Sequence, residues 1–323
     1  MLSRRDILYG LAGLSFSGPP KHLFAQSVQD GTPAANWLVY YADTAPTDAF
    51  DPYGLIVLDR ENHPPLEPLS DAGKALFGYI SVGEASEDRA EFERVKGWGV
   101  LRGENPFWKG SHFVDLRDPR WGKMLIEETI PDILQRGFHG VFLDTLDNPI
   151  ELERRDPKAN AGMTQAAARL VKAFKFHWPR VPLILNRGYG LLPMVGGTVE
   201  YVLGESIYTD YDFETKTYSK VDPEVYREQV IILQDAAARN PGLKILTLDY
   251  WDPADTATIA EIYKTERANG FLPYVRRSNW IASSPSPALE IQRCRAADSD
   301  RRAVADRCLL RGAGLRRSTD VHA

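Results

Sequence analysis

Short apolar runs that end in an acidic residue recur along this chain, and that pattern narrows the folds open to it. Asp59 follows GLIVL, Glu84 follows YISVG, Asp144 follows GVFL, Glu205 follows YVLG and Asp249 follows ILTL. Each run has the length of a strand and is rich in Val, Ile, Leu and aromatics. Most are followed by a helix-like stretch, which is the rhythm of a parallel β/α fold. In a closed β/α barrel the C-terminal strand ends converge on one mouth, so carboxylates far apart in sequence meet there. Carboxylates sharing a pocket are the equipment of glycoside hydrolysis.

The expected barrel strands are residues 37–41, 55–58, 76–82, 141–143, 183–185, 201–203, 244–248 and 271–275. Helices are expected over 119–135, 164–178, 223–239 and 253–269. The first of these starts at Asp118-Pro119, with Pro in the first turn, and stops at Gly137. A long excursion over 85–120, with a strand-like piece at 112–116, is an insertion after the third strand. Eight β/α units in about 240 residues have the size of a single-domain (β/α)8 TIM barrel, placed at 36–282.

The flanks differ from the barrel. Residues 1–25 read as an export signal: Arg4-Arg5 precede an apolar stretch over 7–16 that is too short to span a bilayer, and Leu23-Phe24-Ala25 offers a cleavage point before Gln26. The arginine pair resembles a twin-arginine signal, which implies a periplasmic or extracellular protein with no lasting membrane insertion. Residues 26–35 form a polar linker. Residues 283–323 hold eight Arg, no Lys and five acids, a net of +3 within a chain of net charge −5. This Arg-rich tail is expected to be disordered, and the remainder, at −8, argues against nucleic acid as a partner. Both cysteines, Cys294 and Cys308, lie in the tail, and the six histidines show no ligand spacing, so no metal and no cofactor is expected. There is no GxSxG motif, no phosphate loop and no dinucleotide fingerprint. A monomer acting on a polysaccharide or oligosaccharide is the expected working form.

Asp144 is the first candidate, since a carboxylate at a strand end can be held rigidly toward the mouth. Glu205 is the second; Glu is not a favoured cap or turn residue, and Gly204 before it would let a ligand approach. A helix cap for Asp144 and an ion pair with Arg187 for Glu205 are the structural alternatives. Substrate contacts are expected from Tyr41, Tyr79, Glu84, Asp147, Asn186, Arg187, Tyr208, Asp249 and Tyr250. They offer carboxylates, an amide, a guanidinium and aromatic faces suited to sugar rings.

YISVGEA, GVFLDTLDN, LILNRGYG, VLGESIYT and LTLDYWDP together resemble the successive motifs of the endo-α-1,4-polygalactosaminidase-like proteins, glycoside hydrolase family 114, over about residues 36–277. The resemblance implies a (β/α)8 barrel acting on α-1,4-linked galactosamine polymers, with Asp144 and Glu205 at the places of the catalytic pair. The chain departs from the pattern in reading Phe-His-Gly-Val before the fourth strand and ESIYT at the sixth. On this reading Asp144 is the nucleophile and Glu205 the general acid/base of a retaining glycosidase. A non-catalytic sugar-binding barrel and a metal-dependent lyase or isomerase are the rival classes.

Overall fold

In the computed structural model, which describes residues 36–212 and 215–276, the apolar runs pair as parallel strands. Eight of them follow one another around a single sheet in chain order: Trp37–Tyr40, Leu55–Leu58, Ala75–Ser81, Gly140–Asp144, Leu183–Asn186, Tyr201–Glu205, Lys244–Tyr250 and Leu272–Arg276. This is the expected (β/α)8 barrel. LIVL of the second strand and LILN of the fifth are buried at every position. Such continuous apolar runs belong to strands covered on both faces, by the barrel interior and by helices.

The barrel meets itself at the first and eighth strands. Trp37 donates its indole N–H to the carbonyl of Leu272 at 2.8 Å, and its ring packs edge-on against Tyr274 with centroids 5.6 Å apart. A fully buried Trp supplies both a large apolar surface and a donor, which suits it to this seam.

The excursion after the third strand is an ordered layer. Glu84–Ser86, Ser111–Val114 and Leu101–Glu104 form an antiparallel three-stranded sheet, and Phe92–Gly97 is a helix within it. The strand expected at 112–116 is therefore its middle strand. Arg89 pairs with Asp59 at the end of the second strand, and Arg60 pairs with Glu91, which fastens the layer to the barrel. Burial would raise the Asp59 carboxyl, but the bonds and charge of Arg89 outweigh it and hold the group below its ordinary range.

The helix expected over 119–135 is three segments run together. Asp118 caps Pro119–Met124 by accepting from the Arg120 N–H; a wider π-turn spans Leu125–Thr129; Ile130–Arg136 then ends at Gly137, whose φ is 113°. The wide turn lies just before Pro131, which has no N–H to give to a preceding carbonyl. Met163–His177, Pro223–Arg239 and Thr256–Ala268 match the other expected helices. The sequence reading missed Asn148–Arg155, whose charged ELERR end carries no apolar stripe, and the hairpin of Thr209–Asp212 with Thr217–Lys220. No helix among the described residues is long and apolar enough to cross a membrane. The export signal, the linker, the tail and both cysteines lie outside the described residues.

Replacing Trp37 with Phe keeps most of the ring and removes the bond across the seam. Chemical denaturation of this variant should show a loss of about 1 kcal/mol. An unchanged midpoint would mean that the Leu272 bond contributes nothing to closure.

Candidate active site

Alternation along each strand decides which side chains reach the mouth. From the fourth strand to the eighth, the last residues are Asp144, Asn186, Glu205, Tyr250 and Arg276. Their contacts draw them into one group. Asp144 accepts from the Tyr79 hydroxyl on Oδ2 at 2.9 Å and from Asn186 Nδ2 on Oδ1 at 2.8 Å. The same Asn186 Nδ2 donates to Glu205 Oε2 at 2.9 Å, and the Tyr250 hydroxyl donates to Glu205 Oε1. Tyr41 packs edge-on against Tyr79 at 5.3 Å, and the Arg276 guanidinium lies 5.8 Å from the Tyr41 ring centre.

The two acids bind one nitrogen through bonds of 2.8 and 2.9 Å. Their accepting oxygens are therefore about 5 Å apart, given the trigonal spread of the two amide N–H bonds. Asp144 and Glu205 are 5% and 4% exposed. Burial raises both carboxyls; the charge of Glu205 raises Asp144 further, while Tyr250, Asn186, Arg187 and Arg276 draw Glu205 back down. Burial and the closeness of the two carboxyls both disfavour ionising the pair together.

The backbone marks the same place. Thr145, Arg187 and Ser206 have φ of 64°, 52° and 52°, a left-handed conformation that is uncommon for such residues. Each directly follows Asp144, Asn186 or Glu205, so three neighbouring strands turn sharply away just after presenting a polar side chain. Such strain collects at functional sites. At Thr145 it is held by local bonds: the side-chain hydroxyl donates to the Asp144 carbonyl and accepts from the Gly83 N–H at 2.8 Å. A Cβ on Gly83 would lie 2.2 Å from the Thr145 carbonyl oxygen, so only glycine lets these segments meet.

Several residues expected at the mouth lie elsewhere. Glu84 is 1% exposed and accepts from Asn105, Ser111 and Asn148, so it braces the insertion. Asp249 neighbours Tyr250 on one strand and therefore points the other way; its Oδ1 accepts from the backbone N–H groups of Tyr208 and Thr209 at 2.9 and 2.7 Å. Tyr208 turns outward, donating to Glu261 at 2.6 Å with Lys220 over its ring. Arg187 pairs with Asp147, with Nε 3.9 Å from Oδ2. Gly204 makes room for Ile207, Leu233 and Tyr189, not for a ligand. Arg276 was missed because the apolar run stops at Val275. Among the described residues no three His, Cys, Asp or Glu side chains come together to hold a metal. A groove of about 810 Å³ lined by Trp37, Tyr53, Ile259 and Tyr263 lies outside the seam and contains no carboxylate.

Residues 21–292 match the family described as Glycoside-hydrolase family GH114. The fold is similar to the glycoside hydrolase domain of PelA from Pseudomonas aeruginosa, with a TM-score of 0.65 and 25% identity over 76% of this chain and 95% of that one. It is also similar to Aspergillus fumigatus Ega3, solved in complex with galactosamine, with a TM-score of 0.58 and 13% identity over 77% of this chain and 94% of that one; this second likeness is one of fold. An uncharacterised protein of Methanocaldococcus jannaschii is 38% identical over 87 residues, 25% of this chain and 24% of the relative, so the match spans about a quarter of that protein's length.

A second buried acid pair lies behind the mouth, between the seventh strand and its helices. Asp249 and Glu266 are both 0% exposed, and Asp249 Oδ2 and Glu266 Oε2 have no hydrogen-bond partner among the described residues. Burial pushes Asp249 up to about 7; burial and then the charge of Asp249 push Glu266 up to about 8. Both values lie above those of free carboxyls, so the folded state holds protons that the unfolded chain releases. The contribution of these two groups to stability is then full below about pH 4 and declines as pH rises toward 7 to 8. Urea unfolding of Asp249→Asn and Glu266→Gln at pH 5 and pH 8 should show this decline shrinking in each variant. Variants that lose as much stability as the wild type over that interval would contradict the assignment.

Proposed function

The chain belongs to glycoside-hydrolase family GH114, and we propose that it cleaves α-linked amino-sugar polysaccharide by a retaining mechanism, with Asp144 as nucleophile and Glu205 as general acid/base. The observation that carries this reading is the one amide nitrogen bonded to both acids. It puts their oxygens about 5 Å apart, the separation of retaining pairs, whereas inverting pairs leave about 6.5–9.5 Å for a water.

The proton count of the site fits the sequence of steps. The reaction starts with one carboxyl protonated and one ionised, and two buried acids that repel one another favour that state. Positive charge developing at the anomeric carbon favours the ionised form of Asp144, which leaves the proton on Glu205. Glu205 protonates the departing glycosidic oxygen while Asp144 Oδ bonds to the anomeric carbon and the carbon–oxygen bond to the leaving sugar breaks. Glu205, now ionised, takes a proton from water; the water oxygen replaces Asp144 on the anomeric carbon, and both carboxyls return to their starting states. The Tyr79 hydroxyl holds Asp144, and the Tyr250 hydroxyl holds Glu205.

Galactosamine as the sugar is supported by the motif resemblance and by the galactosamine bound in the Ega3 structure. The carboxyls of Asp144, Glu205 and Asp147 offer hydrogen-bond and charge partners to a cationic amino sugar. Tyr41 offers an aromatic face there, and Asp147 and Arg187 offer a paired acid and base at its edge. The leader over residues 1–25 supports export to the periplasm or beyond, where such polymers are met.

The test is reducing-end release from α-1,4-galactosaminan and its N-acetylated form. Glu205→Gln should lower kcat by about a hundredfold or more, and Asp144→Asn should abolish turnover, with both variants folded. The anomer first released by the wild type, followed by proton NMR, should be α. A β product would make the enzyme inverting. Binding with no release from either polymer would favour a sugar-binding barrel.

A further inference from the structure

We propose that Asn186 is the positioning residue that sets the spacing of the two acids, acting as a strut between them through a single amide nitrogen. This inference rests on the reading of Asp144 and Glu205 as the reacting pair. It adds a residue whose task is geometric and electrostatic, with no bond made or broken at the amide.

The placement follows from strand order. The fourth strand carries Asp144 and the sixth carries Glu205, and the fifth lies hydrogen-bonded between them. A side chain at the end of the fifth strand is the one that can reach both. Asn186 is 4% exposed, and its Nδ2 gives one N–H to Asp144 Oδ1 and the other to Glu205 Oε2. The strand end is pinned behind it: Arg187 adopts its left-handed φ while its N–H donates to the Leu203 carbonyl at 2.9 Å.

The other end of the amide explains why this orientation matters. Asn186 Oδ1 is buried and has no hydrogen-bond partner among the described residues. An unmet buried acceptor is costly, and here it accompanies two charge-assisted bonds on the nitrogen. Turning the amide over would aim its carbonyl at two carboxyls. The amide therefore has one workable orientation, and the acids select it. No other residue type of this size does the same: Asp would add a third acid, Ser has one donor for two acceptors, and Leu has none.

The strut also serves both halves of the reaction. Negative charge resides on Asp144 before the sugar is bound covalently and on Glu205 after the leaving group departs. An NH2 group facing both oxygens donates to whichever is ionised, without moving. The donor lowers the pKa of each acid, against burial, which raises both.

Two measurements on Asn186→Ala and Asn186→Ser test this, with thermal melts to show that each variant is folded. The first is a carbon-13 NMR titration of the Asp144 and Glu205 carboxyls in the ligand-free protein, which needs no substrate and so stands even if the galactosamine reading fails. In Asn186→Ala both carboxyls should titrate about half a pH unit or more above the wild type; in Asn186→Ser, one should move more than the other. The second is the pH profile of kcat/KM on galactosaminan. Both limbs should shift to higher pH together, and kcat should fall about a hundredfold while KM changes little. Unmoved carboxyl titrations would overturn the proposal, as would a profile lowered in height with its limbs in place. A raised KM with unchanged kcat would make Asn186 a substrate contact instead.

Discussion

Alternation along a parallel strand sends neighbouring residues to opposite faces, and the composition of the mouth depends on it. Tyr250 reaches Glu205 from inside the barrel while Asp249, one residue earlier, faces the helices. The inward set ends in Asp144, Asn186, Glu205, Tyr250 and Arg276 on five successive strands. A shift of one residue in any of these strands would replace a polar group in the mouth with an apolar or structural one. The left-handed residues after Asp144, Asn186 and Glu205 turn the chain sharply just after each side chain is presented.

Burial acts on both acid pairs in the same direction, and their donors make them different. Asp144 and Glu205 each accept from a phenol and share the Asn186 amide, so both oxygens of each carboxyl have a donor. Asp249 and Glu266 each keep an oxygen with no partner among the described residues, and burial pushes them up to about 7 and about 8. The first arrangement suits proton transfer. The second anchors the segment after Glu205, because Asp249 accepts from the backbone of Tyr208 and Thr209. The insertion layer contributes from the other side: Glu84 ties Asn105 and Ser111 to Asn148, which begins the helix after the fourth strand, and Gly83 and Ser81 bind Thr145.

The barrel was legible because its strands are apolar runs bounded by turns, a signal carried by neighbouring residues. Asp144 and Glu205 were legible for the same reason: an acid directly after such a run sits at a strand end. What the runs do not encode is which way the last side chain faces. The runs therefore place both Asp249 and Tyr250 at the mouth and give no sign of Arg276. Glu84 and Tyr208 were misplaced because their partners, Ser111 and Glu261, are 27 and 53 residues away in sequence. Asn186 was recognisable as a polar strand end; its two hydrogen bonds to the acids depend on the spacing of three strands, which only the closed sheet provides. The Trp37 seam is likewise a contact between the two ends of the barrel sequence, 235 residues apart.

The most direct test of the account is to trap the sugar on its nucleophile. Glu205→Gln, mixed with an α-galactosaminyl fluoride, has a leaving group that needs no acid but lacks the base that would release the intermediate. Intact-protein mass spectrometry should then show one added galactosaminyl unit, and peptide mapping should place it on the segment containing Asp144. Fluoride release with no adduct, or an adduct on another residue, would contradict the pairing of Asp144 and Glu205 as nucleophile and acid/base.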